Sequence, residues 1–267
     1  MEIEKAREMG FCLGVRRAVD ILEQAAHKYG SVETLGAAVH NQQVVESLGR
    51  VGVRISGGLD KLRGNIVGIS SHGVGPEVIE EIHARQLQLV DATCPIVHSA
   101  QMAARGLAEA GFFVIVFGDA DHPEVKGLLG WAGGKGIAAT DKQLSATFDQ
   151  FPRRIGILSQ TTQSPARFSD FVKELTDLTL ARVSELRIIN TICDATSKHQ
   201  AAAMELARRC DLMVVIGGRS SSNTRRIAET CSAIVETHLV ESSAEVEATR
   251  LQGRCHVGLT AGASTPD

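Results

Sequence analysis

Three cysteines occupy matching places in this chain and are therefore candidates to act together as metal ligands. They are Cys12, Cys94 and Cys193. A glycine follows each cysteine 24 residues later, at Gly36, Gly118 and Gly217. A polar side chain follows each glycine by four residues, at His40, His122 and Ser221. The thiolate form of cysteine is a strong ligand for metal ions, so a repeated pattern that unites the three thiols predicts a metal centre.

The residues between each cysteine and its glycine have the pattern of a helix followed by a strand. Each glycine ends a short apolar run typical of a strand, and the preceding segment has helical periodicity. A second strand pattern, an apolar run broken by glycine, occurs at 67–72, 155–160 and 257–262. We therefore predict an α/β fold of three related lobes around a common axis. The predicted bounds are 12–93, 94–192 and 193–267 together with 1–11.

A metal group is needed if the three thiols meet as thiolates, because like charges repel. A helix N-terminus lowers the pKa of a thiol and favours the thiolate. One alternative is a zinc ion held by three cysteines and one histidine, although zinc sites with cysteine ligands usually contain two cysteines close together in the sequence. In a four-iron cluster, three cysteines leave one iron open as a Lewis acid. The remaining thiols are predicted to pack as small apolar groups without disulfides: Cys210, Cys231 and Cys255.

Polar side chains cluster at the predicted strand ends and indicate an anion site. They are His40, His72, His122, Thr161, Thr162, Ser221, Ser222, Asn223 and Ser264. Strand ends that lead into helices present backbone N–H groups and a positive dipole end, which suit phosphate. No nucleotide-binding glycine motif stands in these loops. The pattern therefore favours a small phosphorylated compound over a nucleotide.

One acid, Glu124, lies within these anion-binding loops. A carboxylate is poorly placed to bind an anion, so its more natural role is to carry a proton. The plainer interpretation is an acid at a helix N-terminus, where the dipole favours negative charge. In the repeat, Glu124 occupies the place that Asn223 takes in the third lobe.

The bulk properties exclude several classes of protein. The formal charge of −3 and the aromatic content of 4% argue against a nucleic-acid surface. The N-terminus lacks the features of a signal peptide, and no apolar run is long enough to span a membrane. We therefore predict a cytoplasmic protein without nucleic-acid or membrane partners.

Nine short motifs occur in order along nearly the whole chain. They are Gly10-Phe11-Cys12-Leu13-Gly14-Val15, His40-Asn41, Ser71-His72-Gly73, Asp91-Ala92-Thr93-Cys94-Pro95, His122-Pro123-Glu124-Val125, Gln160-Thr161-Thr162, Cys193-Asp194-Ala195-Thr196, Ser221-Ser222-Asn223 and Ala261-Gly262-Ala263-Ser264. This set resembles the LytB family of 4-hydroxy-3-methylbut-2-enyl diphosphate reductases, which complete the methylerythritol phosphate route to isoprenoids. Members of that family continue past Ser264 with a helix, which the internal repeat also predicts.

The resemblance implies a trefoil of three α/β lobes with pseudo-threefold symmetry around a 4Fe–4S cluster. The implied ligands are Cys12, Cys94 and Cys193, with one iron left open. The implied diphosphate-binding residues are His40, His72, His122, Thr162, Ser221, Ser222, Asn223 and Ser264. The implied catalytic residues are Glu124 as the acid, Thr161 near the substrate hydroxyl, and His122. The implied reaction is reductive removal of the allylic hydroxyl to give isopentenyl and dimethylallyl diphosphates, with electrons from a ferredoxin or flavodoxin.

Two alternatives from other classes stay open. A redox-sensing iron–sulfur or zinc module would need the cysteines but not the anion loops. A hydro-lyase would use an open iron as a Lewis acid without any input of electrons. The repeated anion loops argue against the sensor, whereas only the family resemblance separates the reductase from the hydro-lyase.

Overall fold

The structure, a computed structural model, describes residues 1–140 and 152–266. Within these residues the chain forms three four-stranded parallel sheets, each flanked by helices. The predicted α/β class with three related lobes is confirmed. The chain begins with strand β1 (Glu2–Lys5), which joins the sheet formed by the last third of the chain.

The first lobe contains one sheet and three helices. Its strands are β2 (Val32–Leu35), β3 (Val53–Ser56), β4 (Ile66–Ile69) and β5 (Gln88–Asp91). Its helices are α1 (Leu13–Tyr29), α2 (Gln42–Arg50) and α3 (Pro76–Ala84). The strand order is β3-β2-β4-β5, so β2 and β4 are central.

The second lobe repeats this arrangement. Its strands are β6 (Phe113–Phe117), β7 (Gly136–Ala139), β8 (Arg154–Ser159) and β9 (Glu185–Ile189). Its helices are α4 (Pro95–Glu109), α5 (Pro123–Trp131) and α6 (Pro165–Thr179). The order β7-β6-β8-β9 places β6 and β8 at the centre. Helix α6 covers one face of the sheet, where fully buried Phe171 contributes about 1.5–3 kcal/mol through burial.

The third lobe borrows β1 from the start of the chain. Its other strands are β10 (Leu212–Ile216), β11 (Thr237–Val240) and β12 (His256–Ala261), in the order β1-β12-β10-β11. Its helices are α7 (Asp194–Ala207), α8 (Ser222–Ser232) and the short α9 (Ala248–Leu251). The lobe bounds stay a prediction. The helix predicted after Ser264 falls outside the described residues, as does Asp267.

The pairs of strands predicted from the sequence are the central pairs of the three sheets. Parallel strands end at the same edge, so the polar loops that follow β2, β6 and β10 lie beside those that follow β4, β8 and β12. This arrangement gathers the predicted site residues at the carboxyl edges of the sheets. Across residues 1–140 and 152–266, no helix combines the length and apolar character needed to cross a membrane.

Candidate functional site

Each of the three repeated cysteines is the N-cap of a helix, as predicted. Cys12 precedes α1, Cys94 precedes α4 and Cys193 precedes α7, all with extended backbone angles. The Cys12 sulfur accepts the N–H of Val15 at 3.4 Å, and the Cys193 sulfur accepts the N–H of Thr196 at 3.3 Å. The Cys94 side chain makes no cap hydrogen bond, and Pro95 takes the first position of α4, where a proline is favoured.

Backbone hydrogen bonds hold all three cysteines at the ends of central strands. The N–H groups of Cys12, Cys94 and Cys193 donate to the carbonyls of Ala263, Ser71 and Thr161, at 3.1, 3.0 and 2.9 Å. Each carbonyl belongs to the second residue after β12, β4 or β8. The same bond in every lobe thus directs three helix N-termini towards one axis.

The three thiols line one cavity of about 380 Å³. Gly14 lies between two of them: a Cβ atom there would come 2.5 Å from the Cys94 sulfur and 3.9 Å from the Cys12 sulfur.

The pKa values of two thiols depart from the sequence prediction. Burial raises the pKa of Cys12 and of Cys193, although hydrogen bonds from the helix N-termini lower them. The helix N-termini lower these pKa values as predicted, but desolvation of the thiolate outweighs the local N–H groups, so the thiolate is not favoured. A positive group in the cavity would supply the missing stabilisation of the thiolates.

Three histidine rings from two lobes pack together in a second cavity. Ring centroids lie 4.3 Å apart for His40 and His72, 5.1 Å for His40 and His122, and 5.3 Å for His72 and His122. All eight residues proposed for diphosphate binding line this cavity of about 60 Å³: His40, His72, His122, Thr162, Ser221, Ser222, Asn223 and Ser264. The structure therefore unites residues that lie up to 224 positions apart in the chain.

Several buried polar atoms in the histidine cavity lack a hydrogen-bond partner among the described residues. They are Nε2 of His40, Oγ1 of Thr162, Oγ of Ser222, and both Nδ2 and Oδ1 of Asn223. Leaving such an atom unpaired costs about 1–3 kcal/mol, so native proteins rarely tolerate a cluster of them. These unpaired atoms together indicate a polar ligand that supplies their hydrogen-bond partners.

The histidines face this cavity as neutral rings. Burial lowers the pKa of His40 and of His72, and it lowers the pKa of His122 to about 4. Nδ1 of His122 accepts the N–H of Glu124 at 3.2 Å, which leaves the ring proton on Nε2. A ring with Nε2–H is a hydrogen-bond donor, suited to a phosphate oxygen and unsuited to a metal ion.

Glu124 connects the two cavities. Its carboxylate accepts two hydrogen bonds from Thr161, from N–H at 2.6 Å and from Oγ1 at 3.0 Å. The carbonyl of Thr161 in turn accepts the N–H of Cys193, and the N–H of Glu124 bonds to His122. Glu124 is 1% exposed, and burial raises its pKa to about 7. An acid with this pKa is suited to donating a proton near neutral pH.

The repeat pattern is displaced by one residue in the first lobe. His122 and Ser221 are the N-caps of α5 and α8, whereas His40 stands one residue before Asn41, the N-cap of α2. The carbonyl of His40 accepts the Oγ–H of Ser264 at 3.2 Å, which joins the first and third lobes.

Sequence reasoning missed two charged residues beside the histidine cavity. Arg225, in the first turns of α8, lies 3.4 Å from Asp119, which follows β6. Arg225 follows Asn223 by two residues and Asp119 follows the repeat glycine Gly118 directly. Those positions were the available signal, but charged residues at helix starts are too common to single out.

The three-lobed fold, with its triple-cysteine cavity and the histidine cavity linked to it through Glu124, defines the class of protein. The chain belongs to the LytB family, because the protein-family model described as LytB protein matches residues 3–267. A relative from Dehalococcoides mccartyi (strain CBDB1), named 4-hydroxy-3-methylbut-2-enyl diphosphate reductase, is 49% identical over 100% of this chain and 94% of its own.

Two solved structures resemble this fold. The E-1-hydroxy-2-methyl-but-2-enyl-4-diphosphate reductase from Plasmodium falciparum matches 99% of this chain and 84% of its own, with a TM-score of 0.92 and 25% identity. A second structure is described as (E)-4-hydroxy-3-methyl-but-2-enyl diphosphate reductase, the terminal enzyme of the non-mevalonate pathway. It matches 100% of this chain and 95% of its own, with a TM-score of 0.70 and 38% identity.

Proposed function

We propose that this protein reductively dehydroxylates (E)-4-hydroxy-3-methylbut-2-enyl diphosphate to isopentenyl and dimethylallyl diphosphates. The observation that carries the proposal is the set of unpaired polar atoms in the histidine cavity, joined through Glu124 and Thr161 to the cysteine cavity. Family membership supports the same reaction. The reaction consumes two electrons and two protons, breaks the C–O bond and releases water.

Cys12, Cys94 and Cys193 would hold a 4Fe–4S cluster in the cysteine cavity. Two observations support the fit: all three thiols line one cavity, and each cysteine is the N-cap residue of a helix that begins at this cavity. When bound, the cluster would supply electrons one at a time and Lewis acidity at its open iron. A ferredoxin or flavodoxin is the electron donor that the family resemblance implies.

The histidine cavity would bind the diphosphate through neutral donors and helix N-termini. The groups available are Nε2–H of His122, the Asn223 amide and the hydroxyls of Thr162, Ser221 and Ser222. The Ser264 hydroxyl would join them by exchanging its bond to the His40 carbonyl for one to the ligand. The first turns of α5 and α8 add N–H groups and a positive dipole end. Binding energy from this remote group would fix the reacting carbon chain towards the cysteines.

Glu124 would deliver the proton that lets the hydroxyl leave as water. Its pKa of about 7 keeps a large share of the carboxyl protonated at neutral pH. Thr161 would orient both the carboxyl and the substrate hydroxyl through its Oγ1. His122 would hold Glu124 through the bond between its Nδ1 and the Glu124 N–H.

The test is turnover by anaerobically purified protein with bound iron and sulfide. With a chemical reductant, we expect conversion of the substrate to the two five-carbon diphosphates, identified by NMR or mass spectrometry. Binding of substrate without product, despite a reducible cluster, would overturn the proposal. Consumption without reductant, with addition or loss of water alone, would establish a hydro-lyase instead.

A further inference from the structure

One ion pair crosses between the second and third lobes beside the histidine cavity. Nη2 of Arg225 lies 3.4 Å from Oδ2 of Asp119. The side chains are 43% and 39% exposed, so the pair is not part of a core. The Asp119 carbonyl accepts the N–H of His122 at 3.0 Å, and the Arg225 N–H donates to the carbonyl of Ser221 at 3.0 Å. Each charged residue is thus bonded through its backbone to a residue that lines the cavity.

The charges of this pair act on the histidines in opposite directions. The positive charge of Arg225 lowers the pKa of His40 and of His122, whereas Asp119 raises the pKa of His122. The rings themselves are neutral near pH 7, and buried Glu124 is partly protonated there. A diphosphate entering this cavity therefore meets neutral donors, with Arg225 as a nearby positive charge and Asp119 as its counter-charge.

We propose that Arg225 and Asp119 together set the affinity of the histidine cavity for diphosphate, Arg225 by attracting the anion and Asp119 by opposing it. This inference rests on the proposed function, because it assumes that the cavity binds a diphosphate. The 3.4 Å separation is long for a charge-assisted hydrogen bond, so the guanidinium is weakly held by its partner. Because both side chains are partly exposed, their charges still act on an anion in the cavity, but dissolved salt screens this interaction.

The test measures the Kd of inorganic diphosphate by calorimetry at low ionic strength and pH 7.5. Arg225→Gln should weaken binding by about three- to tenfold, and Asp119→Asn should strengthen it by about two- to fivefold, from Coulomb energies in partly exposed surroundings. The double variant should return close to the wild-type Kd. Arg225→Lys should preserve most of the affinity, and added salt should reduce all of these differences.

Opposite effects of the two single variants on Kd distinguish this proposal from a purely structural role of the ion pair. If the ion pair only holds two lobes together, both single variants lose affinity equally and the double variant is no better. Either that outcome or unchanged affinity in both single variants would overturn the inference. Arg219→Gln is the matched control, because Arg219 belongs to the same lobe but pairs with Glu245 away from the cavity; it should leave Kd unchanged.

Failure of the proposed function would look different. In that case wild-type protein would not bind inorganic diphosphate, or Asn223→Ala would bind it as well as the wild type does. If the wild type binds and Asn223→Ala does not, the anion site stands and only the role of the ion pair is in question.

Discussion

The cysteine cavity and the histidine cavity both lie where the three lobes meet, but they differ in size and in the groups that line them. The first is wide, about 380 Å³, and bordered by apolar side chains such as Leu13, which is 86% exposed. The second is about 60 Å³ and lined by buried polar groups. A wide cavity with three thiols has room for an inorganic group, whereas the narrow one presents donors at fixed positions.

Burial nevertheless has the same effect on five groups of the two cavities: it favours their neutral forms. It raises the pKa of Cys12 and Cys193 and lowers the pKa of His40, His72 and His122. Neither cavity therefore favours the charged form of these thiols and rings. Each depends on what binds there, and Glu124 is the residue whose hydrogen bonds connect them.

Loss of a cysteine should have the largest effect and should be confined to the cysteine cavity. Cys12→Ser, Cys94→Ser and Cys193→Ser are each expected to abolish turnover and to lower iron content, because serine is a poor cluster ligand. Exposed Cys255→Ser is the control and should keep both. Affinity for inorganic diphosphate should persist in every variant. Full iron loading in any of the first three would contradict the ligand assignment.

Glu124→Gln should affect the connection between the cavities. The amide keeps the shape of the side chain but cannot deliver a proton, so we expect kcat to fall by about 10²–10⁴-fold without weaker substrate binding.

The pH profile offers a second measurement on the same residue. The raised pKa of Glu124, about 7, means that the acid is protonated below that pH and is lost as pH rises through it. Wild-type kcat should therefore decline above about pH 7, and the glutamine variant should lack this decline. The same alkaline limb in both proteins would assign the proton to another group.

Asn223→Ala should act on the histidine cavity alone. The Asn223 amide is buried and unpaired among the described residues, so a bound diphosphate would gain contacts from it. We expect Kd for inorganic diphosphate to rise by about 10- to 100-fold, as for a charge-assisted hydrogen bond. Iron content should stay at the wild-type level. Exposed Asn65→Ala provides the control.

Gly14→Ala should give the smallest effect and should distinguish the cysteine cavity from the histidine cavity most clearly. A Cβ atom at this position would come 2.5 Å from the Cys94 sulfur, so the thiols must shift. Partial loss of iron with unchanged affinity for inorganic diphosphate is expected. Gly106→Ala is the matched control, because its Cβ would meet nothing within 4 Å. Equal loss of diphosphate affinity in Gly14→Ala would show that the two cavities are not independent.

The sequence predicted the centre of each lobe better than its periphery. The central strands contain apolar runs such as Ile115–Phe117, which can be recognised in the sequence by their composition. Edge strands such as β3 and β5 are partly exposed and include polar residues, so they lack that signal. The cysteines and histidines could be predicted because the repeat puts them in register. The pKa directions of the thiols could not, because burial depends on how three distant segments pack.

The same limit applies to Arg225 and Asp119. Asp119 has no acidic counterpart in the other lobes, and Arg225 is matched in charge only by Lys126 of the second lobe. Their pairing depends on how the second and third lobes are placed. Glu124 lies between these cases: its position suggested a proton carrier, but only the fold reveals its bonds to Thr161 and its burial.

The most direct test of the account is the electron-spin spectrum of the reduced, anaerobically purified protein during titration with substrate. We expect an iron–sulfur signal that changes as substrate binds, and Asn223→Ala should need about 10- to 100-fold more substrate for the same change. Zinc in place of iron, or an iron–sulfur signal that saturating substrate leaves unchanged, would contradict the claim that the two cavities form one active site.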